Sequence, residues 1–365
     1  MDRGEVLKEK VLVAMSGGVD SSVAALLIQQ QGYEVAGATM CLGMGNPGME
    51  KESAGKTACC SPESIADARK VCLRLGIPHY VLDLSEDMRE RVVARLINEY
   101  RRGRTPNPCV DCNRYVKFGT LLRKARAMGF DYLATGHYAQ IEKTGKGFSL
   151  LKPVDTEKDQ TYFLYPIEHR DLGSILFPLA PFRKTEVRRM AERAHLPVAA
   201  KRESQDLCFG RKGSHYDIIE EHIGERRGPI TDAGGTVLGF HRGIAFFTIG
   251  QRSGLGISHA HPLYVTGLKP EENRVIVGDK AGLKAGGLVA EDCNLLVDEL
   301  PEKASAKIRY RKKEASCLIS TEGNGLRIIF EEPQEAVAPG QSVVLYRDRT
   351  VLGGGVIREV LHADC

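Results

Sequence analysis

The chain has 365 residues, too many for one hydrophobic core and enough for two or three domains. Its 42% hydrophobic and 27% charged residues exclude wholesale disorder, and 51 Lys and Arg against 47 Asp and Glu leave a formal net charge of only +4, so any nucleic-acid footprint has to be a local patch. Met1 to Lys10 is polar and no apolar run is long enough to span a bilayer, so a cytosolic, cytoplasmic protein is expected; ten cysteines there point to catalysis or metal rather than structural disulfides.

Val11 to Met15 is a continuous apolar run, the pattern of a strand buried on both faces of a parallel sheet. Helical periodicity follows in Val23, Ala24, Leu26 and Leu27 and stops at Gly32. Between them Gly17 and Gly18 lack β-carbons, so main-chain N–H groups and a helix N-terminus can face a polyanion. No lysine follows the glycines as it would in a P-loop, and Asp20 stands there instead; an acid beside a phosphate makes sense if it holds Mg²⁺ and the leaving group is pyrophosphate. SGGVDS, Ser16 to Ser21, resembles the pyrophosphatase loop of enzymes that adenylate a substrate. The plainer reading is a Gly-rich strand-to-helix turn.

Glu34 to Met40 reads as a second strand and Cys41 to Pro62 as a long Gly-rich loop. Glu63 to Leu75 is a helix with Ile65, Ala68, Cys72 and Leu75 on one face and Gly76 as its stop, and His79 to Leu84 a third strand. A helix is expected from Glu86 to Arg102, then a Pro-interrupted loop GRTPNPCVDCN, a helix from about Arg114 to Met128, and a strand Asp131 to Thr135 that ends in ATGHY. This alternation implies a doubly wound parallel sheet, α/β in class, with ligands beyond the carboxyl ends of its strands. Lys184 to His195 is one more helix, and Lys201 to Arg211 a loop. Residues 211–280 read as a small central domain, and from 281 to 365 short alternating segments, AKIRY (Ala306 to Tyr310), LRIIF, SVVLY and GGVIREV, suggest a C-terminal β-barrel after a catalytic domain of residues 1–210.

Cys109 and Cys112 form a CxxC in that loop, and two prolines are expected to hold the chain extended just before it; the pattern suits a redox pair or a metal site. Cys208, in SQDLCFG, is a second loop cysteine. Cys72 and Cys317 read as core, Cys293 and Cys365 carry no local signal, and Cys59 and Cys60 read as incidental, with ligands or reactive thiols as the alternative.

SGGVDSS, GRTPNPxxxCN with Lys117 and Phe118 after it, ATGHY, KDQTYFL (Lys158 to Leu164) and SQDLCF (Ser204 to Phe209), in this order and over nearly the whole chain, resemble the bacterial tRNA-specific 2-thiouridylases. The resemblance implies an adenine nucleotide alpha-hydrolase-like sheet, ATP with Mg²⁺, a cytoplasmic tRNA substrate, and sulfur installed at the 2-position of the wobble uridine in the tRNAs for Lys, Glu and Gln. It implies a persulfide on Cys208, attacked by Cys112 to leave a Cys112–Cys208 disulfide, and a persulfide donor such as a cysteine desulfurase or sulfur-relay protein. Ala14, Met15, Ser16, Gly17, Gly18, Val19, Asp20, Ser21, Met40 and Gly136 match ATP-contacting positions. Asn107, Pro108 and Cys109 match the segment near the target base; His137, Lys158, Asp159, Gln160, Arg309, Tyr310 and Gln341 match tRNA-contacting positions. The plainer readings are a solvated turn for Lys158 to Gln160, an exposed strand face for the basic run Arg309 to Lys313, a loop cap for His137 and a turn residue for Gly136.

One departure stands out: many family members have Asp where this chain has Cys109. Cys109, Cys112 and Cys208 together resemble the three-cysteine set that holds a 4Fe-4S cluster in related thiolation enzymes, with an open iron for hydrosulfide. Both mechanisms stay open, with zinc a third occupant. The rivals to the whole reading are another adenylating enzyme, such as an amidotransferase-type or lysidine synthetase, and a non-enzymatic RNA-binding protein with a structural metal.

Overall fold

The computed structural model describes residues 8–43, 61–145, 147–202 and 216–362; Cys59, Cys60, Cys208 with its motif, and Cys365 lie outside them. The chain forms two compact units, one from Met1–Val92 and Asp111–Ser214 and the other from Val93–Val110 and His215–Cys365.

The strands of the first unit are β1 (Lys10–Ala14), β2 (Glu34–Cys41), β3 (His79–Asp83), β4 (Tyr132–Ala134), an antiparallel hairpin of β5 (Gln140–Thr144) and β6 (Gly147–Leu151), and β7 (Ile175–Leu176). Five of them make a wholly parallel sheet in the order β3-β2-β1-β4-β7. β1 runs between β2 and β4, so the connections leave it in opposite directions and open a crevice beyond its carboxyl end. Val11, Leu12 and Val13 are fully buried, as their unbroken apolar run requires, each contributing about 1.5–3 kcal/mol of burial. Helices α1 (Val19–Gln30), α2 (Pro62–Leu75) and α7 (Lys184–Arg193) share a core with the sheet through Val23, Ile28, Val71, Cys72 and Val187. Gly76 ends α2 in the left-handed conformation, as its position in the sequence suggests.

The helical run over 85–101 is less regular than its spacing suggests: α3 (Ser85–Asp87), a π-helical stretch Met88–Val93, then α4 (Ala94–Arg101). The next helix starts six residues before the expected Arg114. α5 (Pro108–Asp111) passes straight into a π-helical stretch Cys112–Leu121 and α6 (Leu122–Ala127). The expectation that Cys109 and Cys112 lie in a loop is therefore wrong. Pro108 occupies the first helical position, where its missing N–H and fixed φ are no handicap, and the Asn107 side-chain oxygen accepts the Cys109 N–H at 3.2 Å as a cap.

The second unit carries α8 (Tyr216–His222) and strands β8 (Gly228–Thr231), β9 (Val237–His241), β10 (Tyr264–Lys269) and β11 (Arg274–Gly278), which form a sheet in the order β10-β11-β8-β9. Then come β12 (Lys284–Leu295), β13 (Lys303–Lys307), β14 (Ala315–Glu322), β15 (Gly325–Glu335), β16 (Ser342–Arg347) and β17 (Thr350–His362). They run in the order β12-β15-β14-β13-β16-β17, and antiparallel pairing of β12 with β17 closes the expected barrel. Leu288, Ile328, Phe330, Val343 and Leu345 fill it. The strand expected at Ala306 to Tyr310 lies three residues earlier, as β13 at Lys303–Lys307, and the Lys312 N–H bonds back to the Arg309 carbonyl to close a turn. No helix among the described residues is long and apolar enough to cross a membrane.

Candidate active site

The turn after β1 is built as its sequence suggests, with one refinement. Gly17 has φ of +69°, and a β-carbon there would stand 2.4 Å from the Ser64 carbonyl oxygen, so only glycine fits. Gly18 is extended at φ −102° and is the N-cap of α1; a β-carbon would come no closer than 3.4 Å to the Ser16 hydroxyl, so the backbone does not demand glycine here. The loop is laced together locally. Ser21 Oγ accepts the Ser16 N–H at 3.2 Å, and the Ser22 hydroxyl donates to the Gly18 carbonyl at 2.7 Å. Ala14 ends β1, Met15 and Val19 are buried beneath the loop, and Met40 is buried near the end of β2.

Gly136 is more than a turn residue. Its α-carbon presses on α1, where a β-carbon would lie 2.7 Å from the Ser21 amide nitrogen. The same segment carries Tyr138, whose hydroxyl donates to Asp20 Oδ1 at 3.1 Å. Asp20, in the first turn of α1, also accepts Lys184 Nζ at 2.7 Å on each carboxylate oxygen. A second ammonium reaches the loop: Lys201 Nζ lies 3.0 Å from the Gly17 carbonyl and 2.8 Å from Asp67 Oδ2. None of Lys184, Lys201 and the Tyr138 hydroxyl was singled out by sequence reasoning. Lys184 stands 164 residues from Asp20, and the only local signal is that it opens a helix.

A line of hydrogen bonds connects this loop to the helix that carries the thiols. The buried Asn113, next to Cys112, donates its amide to the Phe163 carbonyl at 2.9 Å. Gln160, in the same KDQTYF segment, accepts the Tyr138 N–H on its side chain at 2.9 Å and donates its own N–H to the Tyr138 carbonyl at 3.0 Å. Asp159 is buried and accepts both the N–H (2.9 Å) and the hydroxyl (2.6 Å) of Thr161, so it shapes a turn from inside; Lys158 is half-buried. A fully solvated turn is thus not what Lys158 to Gln160 form.

His137 packs between Phe118 and Phe177, with Nδ1 2.7 Å from the Thr135 hydroxyl and Nε2 3.4 Å from Lys117 Nζ. Burial first, and then the Lys117 charge, hold its pKa well below 6.5, so the ring is neutral. Cys112 is buried and Cys109 half-buried, three residues apart on one helical turn and so on one side of it. Burial pushes the Cys72 thiol up to about 11 and Cys317 up to about 12, which fits inert core thiols; Cys293 is likewise raised to about 11.

In the second unit, Gln341 donates its side-chain amide to the Thr105 carbonyl at 2.9 Å, just ahead of Asn107, Pro108 and Cys109. Arg309 donates to the Ile249 carbonyl at 2.8 Å and Lys312 to the Glu335 carbonyl at 2.6 Å, while Lys307 Nζ lies 5.6 Å from the Tyr310 ring. The basic run is therefore divided, with Arg311 and Lys313 exposed and Arg309 and Lys312 turned to main-chain carbonyls.

A parallel sheet whose first strand runs through a Gly17-Gly18 turn into a helix N-terminus, followed by two β-domains, defines an α/β protein with a doubly wound catalytic-type sheet. Residues 9–212 match the family described as "tRNA methyl transferase HUP domain", 216–279 "tRNA methyl transferase PRC-barrel domain" and 285–357 "Aminomethyltransferase beta-barrel domain". A tRNA-specific 2-thiouridylase MnmA 1 from Syntrophus aciditrophicus is 55% identical over 98% of this chain and 95% of that protein. Those named tRNA-specific 2-thiouridylase MnmA from Carboxydothermus hydrogenoformans and Geobacter metallireducens are 45% and 46% identical, each over 97% of this chain and 99% and 98% of their own. The chain belongs to the tRNA-specific 2-thiouridylase family.

Proposed function

We propose that the protein uses ATP to replace the 2-oxygen of the wobble uridine by sulfur in the tRNAs for Lys, Glu and Gln. The observation that carries this reading is the hydrogen-bonded line from Asn113, beside Cys112, through Phe163, Gln160 and Tyr138 to Asp20. It ties a polyanion cradle to a thiol within one unit, as a two-stage reaction at one base requires.

A carbonyl oxygen is a poor leaving group. In the first stage O2 attacks the α-phosphorus of ATP and pyrophosphate leaves into the cradle of Ala14 to Ser21, with Met40 and Gly136 at its walls. Asp20 suits a hard divalent cation: it is a carboxylate, its side chain is about one third exposed, and it lies on the cradle's own helix. Mg²⁺ bound there would supply charge neutralisation to the leaving pyrophosphate. In the second stage the Cys112 thiolate attacks the inner sulfur of a Cys208 persulfide; the outer sulfur passes to C2, AMP leaves, and a Cys112–Cys208 disulfide remains for a dithiol to reduce with two electrons. Asn107 to Cys109 lie near the base, His137, Lys158 to Gln160, Arg309 and Tyr310 serve the tRNA, and Gln341 acts on it through Thr105, whose carbonyl it holds just ahead of Asn107. The donor of the persulfide is a cysteine desulfurase or sulfur-relay protein.

A second reading is favoured by the helical turn that presents Cys109 and Cys112 together. Two thiolates at that spacing fit two ligands of a 4Fe-4S cluster, with Cys208 as the third. Visible absorbance of anaerobically purified protein that disappears in Cys109→Asp supports the cluster; a wild type that is colourless and active supports the persulfide. The function itself is tested by pyrophosphate release from ATP, which should require unmodified tRNA and be lost in Asp20→Ala. Release that ignores tRNA would refute it.

A further inference from the structure

The lysine that a P-loop sets directly after its glycines is missing from Gly18 to Ser22. An ammonium is nevertheless delivered to this turn by α7. Lys184, the first residue of that helix, is 8% exposed, and its Nζ lies 2.7 Å from both oxygens of Asp20 and 5.9 Å from the centre of the Tyr138 ring. Burying an ammonium to this degree is unfavourable, and its carboxylate partner is itself one third exposed, so a structural staple is a poor reason for the lysine. Among the described residues, Asp67 and Lys201 also stand at the turn and pair with one another at 2.8 Å, Lys201 meets the Gly17 carbonyl, and Asp155 accepts the Lys184 main-chain N–H at 2.8 Å.

We infer that Lys184 is a pyrophosphate-binding residue, the cation that a P-loop would carry in its own sequence, brought to the cradle from a helix 164 positions away and kept aimed by Asp20. The assignment rests on the reading of the cradle as an ATP site. Asp20 is shared: when it takes a divalent cation, the ammonium is released toward the phosphate oxygens, and charge-assisted bonds to phosphate are among the stronger contacts a lysine makes.

The test is titration of inorganic pyrophosphate, in chelator so that no metal bridges it, into full-length wild type, Asp20→Asn, Lys184→Met, Lys184→Arg and the double variant Asp20→Asn with Lys184→Met. Asp20→Asn removes the ion pair, so a lysine kept only for that pair should change pyrophosphate affinity little when it is then replaced. We expect Asp20→Asn to bind pyrophosphate more tightly than wild type, and the added Lys184→Met to weaken it on the order of tenfold to a hundredfold. Lys184→Arg should keep most of the affinity, and tRNA affinity should not move. Equal pyrophosphate affinity of Asp20→Asn and the folded double variant would overturn the assignment of Lys184 alone. A wild type that binds neither pyrophosphate nor ATP when Mg²⁺ is supplied would overturn the cradle reading, and this assignment with it.

Discussion

Gln341 holds Thr105: the glutamine side-chain nitrogen donates to the threonine carbonyl at 2.9 Å, while the Thr105 N–H donates to the Pro339 carbonyl at 2.8 Å. Gly340 between them has φ of +90°, and a β-carbon there would sit 2.8 Å from the Thr105 nitrogen, so the approach is close on both sides. The segment that leads into Asn107, Pro108 and Cys109 is thus pinned by the barrel's own loop. Gln341→Ala should lower kcat of thiolation about tenfold by loosening that lead-in, with the KM for tRNA little changed. A rise in KM at constant kcat would instead mark Gln341 as a tRNA contact.

The two glycines of the cradle should separate folding from binding. Gly17→Ala forces a left-handed alanine against the Ser64 carbonyl and should cost about 1–2 kcal/mol from the backbone alone, read as a lower melting temperature. Gly18→Ala has an ordinary extended backbone and room for the methyl group. It should melt like the wild type yet bind ATP more weakly, because the methyl group stands where the main chain must approach a phosphate. Unchanged ATP affinity in Gly18→Ala would move the phosphate away from this turn.

His137 gives a pH dependence of fixed sign. Its folded pKa lies well below 6.5, so in the range between that value and 6.5 the unfolded chain binds more protons than the folded one. Stability is complete above pH 6.5 and is lost as the pH falls through that range. His79, lowered by burial and Arg69, and His241, lowered by burial, act in the same direction. Denaturant unfolding of His137→Gln should show a shallower acid limb than the wild type; an identical limb would mean that the ring is not held neutral.

The parallel sheet, the turn after its first strand and the barrel were legible because each is written locally, as the apolar run of Val11 to Val13, as Gly17 before a helical pattern, and as alternating strands. Cys109 and Cys112 were misplaced by reading Pro106 and Pro108 only as breakers, when Pro108 opens a helix capped by Asn107. The π-helical stretches Met88–Val93 and Cys112–Leu121 leave no mark in a pattern read at 3.6 residues per turn. Lys184 and the Tyr138 hydroxyl were illegible for a different reason: they reach Asp20 only through tertiary packing, across 164 and 118 residues.

The central claim is that one site activates the uridine with ATP and then delivers sulfur through Cys112. Single-turnover reaction of Cys112→Ser with ATP, unmodified tRNA and a persulfide donor measures both halves, as pyrophosphate released and as 2-thiouridine found by mass spectrometry of the digested tRNA. The account predicts pyrophosphate at the wild-type burst and no 2-thiouridine. Wild-type yields of 2-thiouridine from this variant would contradict it.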